Sequence, residues 1–144
     1  MRRGRRSLTR HIYHVTTATK AREPFFRAGD AASATARCFI ERSLLGDCDL
    51  LAWVLMPDHV HWLVQLGARD SLDVFVNRLK SSSARKANAA LGRSGALWEK
   101  AYHDRAMRSD DNLMKVARYI VANPVRAGLV ANVGDYPYWN SVWI

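Results

Sequence analysis

DLLAWVLM (residues 49–56), Pro57-Asp58 and HVHWLVQL (59–66) form the stretch on which the fold turns. Two dense apolar runs of strand length flank a two-residue turn signal, so the segment reads as a tight antiparallel hairpin buried on at least one face. Upstream, HIYHVTT (11–17) is β-branched and aromatic and predicts a first strand. Between them, Asp30 is placed to cap a helix over 31–45 that Gly46 can end. Downstream, Asp70 or Ser71 opens a helix that runs to Gly92, and AYHDRAM (101–107) predicts a fourth strand. A last long helix is expected over 110–123, capped by Ser109, with Asp110 and Asp111 in its first turn. Pro124 breaks or restarts it, and the aromatic tail DYPYWNSVWI is expected to pack back onto the domain. The order strand, helix, strand, strand, helix, strand, helix is an α+β pattern, best satisfied by a ferredoxin-like central antiparallel sheet with helices packed on it.

The totals limit what such a domain can be. The 144 residues suffice for one hydrophobic core, with residues 1–10 as a flexible basic arm and 11–144 as the single domain. Lys and Arg total 22 against 13 acidic residues, a net charge of +9, which favours a polyanionic partner through counterion release. Ribosomal and basic membrane-surface proteins share that balance, so charge alone leaves the partner open. No apolar run approaches the ~20 residues of a membrane span, and the basic N-terminus leads into no apolar h-region, which argues against a secretory signal. Cys38 and Cys48 form no CxxC pair, and the expectation is free thiols in a reducing cytoplasm.

The same hairpin carries the most informative polar residues. Side chains alternate along a strand, so His59 and His61 share a face, their positions about 7 Å apart, while Val60, Trp62 and Val64 take the other. Two imidazoles so placed can share a divalent metal, or can be a hydrogen-bonded pair next to a turn. On the helix over 110–123, Leu113, Val116, Ala117, Ile120 and Val121 form the apolar stripe. Tyr119 and Asn123 lie roughly 90–130° from its centre, one turn apart. Tyr119 reads either as a half-buried packing residue or as a hydroxyl reaching over the sheet. Asn123 reads either as a helix C-cap or as an amide oxygen beside that hydroxyl.

MPDHVHWLV (56–64), WEKAYHDRAMR (98–108) and RYIVANPVRAGLV (118–130), in that order and with HIYHVTTATKAREPFF (11–26) ahead of them, resemble the REP-associated tyrosine transposases. These are a single-tyrosine branch of the HUH (histidine–hydrophobic–histidine) endonucleases. The resemblance covers nearly the whole chain. It implies that His59 and His61 are metal ligands, that Tyr119 is the nucleophile, and that Asn123 is the third ligand position. It implies Mg²⁺ or Mn²⁺ as cofactor, single-stranded DNA with hairpin-forming repeats as partner, and the fold already read from the pattern. The expected chemistry is cleavage and rejoining through a 5′-phosphotyrosine, by a monomer or homodimer acting in the cytoplasm at the nucleoid.

Around that centre, phosphate contacts are expected from Arg2, Arg3, Arg5, Arg6 and Arg10, from Lys80, Arg85 and Lys86 on the second helix, and from Arg105 and Arg108 beside the fourth strand. Lys115, one turn before Tyr119, is either a modulator of the tyrosine hydroxyl or a solvated lysine. Tyr102 and Trp98 are available for base stacking or for packing, with packing favoured for Trp98. Two other classes fit parts of the pattern: a non-catalytic single-stranded DNA-binding module, and a metal-dependent nuclease that activates water in place of tyrosine.

Overall fold

The computed structural model describes residues 11–144; the arginines of the basic arm, Arg2 to Arg10, lie outside the described residues. Five strands form one antiparallel sheet in the order β4-β1-β3-β2-β5. They are β1 (Ile12–Ala18), β2 (Asp49–Met56), β3 (His59–Gln65), β4 (His103–Ala106) and β5 (Trp139–Ser141). The first four in the order 4-1-3-2, with α1 (Gly29–Cys38) and α3 (Leu72–Leu91) as crossovers, make the α+β, ferredoxin-like arrangement that the pattern predicts.

Alternation along the central strands divides the core in two. Val15, Trp53, Leu55, Val60, Trp62 and Val64 are buried with α1 and α3 on one face. Ala52, Val54, Met56 and Leu63 are buried on the other, under Ala117, Ile120 and Val121 of α4 (Leu113–Val121). Strand β3 therefore sends its tryptophan and valines one way and His59 and His61 the other. The turn at its start is pinned: the Pro57 carbonyl accepts from Phe26 N–H at 3.0 Å, and the Asp58 carbonyl accepts from both Thr19 N–H and Thr19 Oγ1 at 3.0 Å.

Several boundaries differ from the sequence reading for local reasons. The helix expected over 31–45 stops at Cys38 and restarts as α2 (Arg42–Leu45). There the backbone tightens to three-residue hydrogen bonds at Phe39, Ile40 and Glu41, and the Phe39 ring inserts edge-on against Trp53 and Trp62 at 5.2 and 5.5 Å. Asp30 lies inside the first turn of α1, and Ala28 is the capping position. Ser71 caps α3 and Gly92, at φ 65°, ends it in the left-handed conformation. The last long helix begins three residues late, because the Asn112 side chain, not Ser109, accepts the Lys115 N–H at 3.1 Å. Asp111 instead accepts the Arg108 N–H, and Asp110 sits 3.7 Å from the Arg108 guanidinium. Asn123 opens a new short helix, α5 (Asn123–Arg126), so Tyr119 and Asn123 stand on either side of a break. The aromatic tail does pack back, and Trp139–Ser141 adds a fifth strand at the β2 edge.

A candidate metal and nucleophile site

His59 and His61 stand on the sheet face that carries α4, with ring centroids 5.0 Å apart. The His59 Nδ1–H donates to Asp58 Oδ1 at 2.8 Å. A carboxylate only accepts, so this contact places the proton on Nδ1 and leaves the Nε2 lone pair free. Asp58 is in turn 3.2 Å from Arg22 Nε. Partial burial pushes the Asp58 carboxyl up, but the His59 hydrogen bond and the Arg22 charge outweigh it and hold it below the ordinary carboxylate range.

His61 has the same orientation. Its Nδ1 lies 3.0 Å from His14 Nε2 and 3.1 Å from Thr16 Oγ1, both on the neighbouring strand β1. The tautomer that donates Nδ1–H to either partner leaves Nε2 free, as in His59. Burial, followed by the neighbouring His59 and His14 and by the Arg126 charge, pushes His61 down to about 3. It is therefore neutral at physiological pH, the form in which imidazole binds a metal. His14 is also pushed down, by burial and by Arg105. Two imidazoles that each turn Nδ1 to the protein and Nε2 away from it fit a divalent cation, and among the cations implied by the resemblance a nitrogen-rich set favours Mn²⁺ over Mg²⁺.

Tyr119 projects from the outer flank of α4 and is 60% exposed. The Arg126 guanidinium from α5 lies over its ring, 3.7 Å from the centroid. Arg126 thus stacks on Tyr119, and its charge adds the smallest of the contributions that disfavour a proton on His61. Asn123 is half-buried, and its Nδ2 donates to the Ile120 carbonyl at 3.1 Å, which leaves Oδ1 as the available atom.

The other basic residues fall in different places. Arg105 is exposed on β4 opposite His14, 3.8 Å from Asp111. Arg108 is exposed beside Asp110, and Lys115 is exposed on α4. Arg85 and Lys86 lie on α3, in the layer across the sheet from the histidines; Lys86 lines a cavity there with Arg37 and Glu41. The Lys80 ammonium is engaged, donating to the carbonyls of Glu99 at 2.7 Å and Lys100 at 2.9 Å. Trp98 is core, its indole N–H donating to the buried Ser83 hydroxyl at 3.0 Å. The Tyr102 hydroxyl donates to Asp73. Sequence reasoning missed His14, Thr16, Asp58, Arg22 and Arg126. Only Asp58 carried a local signal, since it directly precedes the first histidine; the others depend on strand register or on where α5 turns.

Elsewhere, Asp47, Cys48 and Asp70 bring ligand-type atoms within 4.8 Å of one another. Their bonds explain the cluster without a metal: Asp47 accepts the Ala68 N–H at 2.8 Å, and Asp70 pairs with Arg78 at 2.8 Å. Both cysteines are free and buried. Among the described residues, no helix is long and apolar enough to cross a membrane.

Residues 7–123 match the family model described as transposase IS200 like. The chain is 28% identical over 90 residues to the REP-associated tyrosine transposase of Escherichia coli, covering 62% of this chain and 52% of that protein. It is 29% identical over 100 residues to a Haemophilus influenzae protein provisionally given the same name, covering 62% of this chain and 57% of that protein. The chain spans about half the length of the curated relatives it matches. In fold it is similar to a REP-associated tyrosine transposase solved bound to a REP hairpin, with a TM-score of 0.69 and 21% identity over 96% of this chain and 82% of the other.

Proposed function

The chain belongs to the IS200-like transposase family, and on that premise we propose that it is a metal-dependent single-stranded DNA endonuclease and transposase. It cleaves and rejoins DNA through a 5′-phosphotyrosine on Tyr119, at hairpin-forming repeats. The observation that carries this reading is the orientation of His59 and His61. Each turns Nδ1 to a protein partner and Nε2 away from it, on the sheet face that α4 covers with Tyr119 on its flank. A relative with this fold has been solved on a REP hairpin, which supports the choice of substrate.

His59 Nε2, His61 Nε2 and Asn123 Oδ1 would hold the ion. When bound, a divalent cation draws charge from a non-bridging oxygen of the scissile phosphate. The chain's own residues do the rest. Tyr119 Oη attacks phosphorus in line, losing its proton as the phosphate–tyrosine bond forms. The bond to the 3′-oxygen breaks, and that oxygen leaves as a hydroxyl after taking up a proton. Arg126 holds the tyrosine ring by stacking and places a fixed positive charge beside the incoming phosphate. The phosphotyrosine keeps the energy of the broken ester, so a 3′-hydroxyl can reverse the step without ATP.

The test is incubation of wild type and Tyr119→Phe with labelled hairpin oligonucleotides and Mn²⁺, read on a denaturing gel. A protease-sensitive, slow-migrating adduct in the wild type alone is the expected result. Cleavage that survives in Tyr119→Phe would instead identify a nuclease using water, and binding with neither adduct nor cleavage would identify a DNA-binding module.

A further inference from the structure

Beside the histidine face lies a cleft of about 630 Å³, lined among others by Thr16, Lys20, Arg22, Glu99, Lys100 and His103. It adjoins the site already described through Thr16, which lines it and whose hydroxyl is 3.1 Å from His61 Nδ1. His103 pairs with Thr16 across the β1–β4 ladder and so belongs to the same face. The volume lies in the range of a cleft for one small ligand, far short of a duplex.

Both walls of the cleft are fixed. One wall is the short turn at Lys20–Arg22, where Ala21 and Arg22 take the left-handed conformation at φ 54° and 55°. Side chains other than glycine avoid that region, and two in succession persist only where surrounding bonds hold them. Here the Ala21 N–H donates to Glu99 Oε2 at 2.8 Å, the Lys20 N–H to the Leu97 carbonyl at 2.8 Å, and the Glu99 N–H to the Ala18 carbonyl at 2.9 Å. The other wall, residues 99–101, is tied from behind by the Lys80 ammonium. With Glu99 and Lys80 spent on construction, the Lys20 and Lys100 ammonium groups are exposed at the rim, and Arg22 is shared with Asp58.

We propose that this cleft binds an unpaired nucleotide flanking the cleaved bond, with Lys20 and Lys100 taking its phosphates. The proposal rests on reading the His59–His61 face as the DNA-cleaving site, and it names where the strand runs as it leaves that face. The ligand is a single-stranded phosphodiester, since two cations at a narrow, preformed cleft suit a chain of separate phosphates and exclude a paired helix.

Phosphate contacts carry no sequence information, so a sequence-neutral probe suffices. Labelled oligothymidine and a blunt duplex are titrated by fluorescence anisotropy at several salt concentrations, with the full chain, K20A/K100A and K20R/K100R. The expected result is a loss of roughly tenfold in oligothymidine affinity for K20A/K100A and a salt slope shallower by about 1.4, two phosphates at ~0.7 each. Duplex binding should change far less, and K20R/K100R should restore the affinity. Unchanged oligothymidine binding in K20A/K100A, or an equal loss on both probes, overturns the proposal. Adduct formation is not the readout, so loss of the tyrosine mechanism in the gel assay and loss of the cleft are separate results.

Discussion

Asp58 Oδ1 accepts the Nδ1–H of His59 at 2.8 Å, while its second oxygen is 3.2 Å from Arg22. One carboxylate thereby fixes the ring orientation and tautomer of a candidate metal ligand, and the strained turn at Ala21–Arg22 fixes the carboxylate. Removing such an outer partner ordinarily weakens metal affinity by about 10–100-fold. Asp58→Ala is expected to bind Mn²⁺ that much more weakly in calorimetric titration, with the far-ultraviolet circular dichroism spectrum unchanged. Equal affinity in the variant would mean that His59 is oriented by other contacts.

Arg126 is expected to matter to rate more than to DNA affinity, since it touches Tyr119 and not an extended strand. Its guanidinium lies 3.7 Å from the centre of the tyrosine ring. Loss of one fixed charge aimed at a developing anion typically costs on the order of a hundredfold in rate. Arg126→Ala should therefore slow adduct formation to about that extent at saturating DNA, and Arg126→Lys should recover part of it. A normal single-turnover rate in Arg126→Ala removes it from the reaction.

The proposed donor set predicts a metal preference. Two imidazole nitrogens and one amide oxygen suit Mn²⁺ better than the oxygen-seeking Mg²⁺. Half-maximal adduct formation should need less Mn²⁺ than Mg²⁺, and chelation with EDTA should abolish it while leaving the fold intact. Equal requirements for the two ions would argue against two histidine ligands.

Much of this was legible in advance, and for different reasons. The β2–β3 hairpin is written in local chemistry, so its ends match the sequence reading to within a residue. Strand alternation put His59 and His61 on one face without any knowledge of the fold. The neighbours of His61 were hidden, because His14 and Thr16 reach it only through the register of β1 on β3, where Thr16 stands opposite His61. The helix starts were misjudged wherever several polar residues compete to cap: Ser109, Asp110, Asp111 and Asn112 are all competent, and local pairing of Asp110 and Asp111 with Arg108 leaves Asn112 to cap.

Acid should destabilise the metal-free fold through His61. Its folded value is depressed from 6.5 to about 3, chiefly by burial. Between those values the unfolded chain binds a proton that the folded chain refuses, so stability is complete above the unfolded value and is lost progressively as pH falls towards the folded one. Melting temperature in EDTA should therefore drop through this window. The drop should be smaller in His61→Asn, which has no proton to take up. An identical pH profile in the two proteins would show that other groups govern the acid transition.

Lys80 separates a phosphate-binding role from a structural one. A basic residue on α3 was expected to meet DNA, yet its ammonium is half-buried and bonded to the carbonyls of Glu99 and Lys100. Burial lowers its tendency to stay charged, and Glu99 partly restores it. Removing the ammonium leaves two carbonyls without their donor, a change that costs about 1–3 kcal/mol when such groups are kept from water. Lys80→Met should accordingly lower unfolding stability in urea within that range. The salt dependence of oligothymidine binding should keep its slope, because no phosphate contact is lost. A shallower slope with unaltered stability would reverse the assignment and make Lys80 a DNA contact.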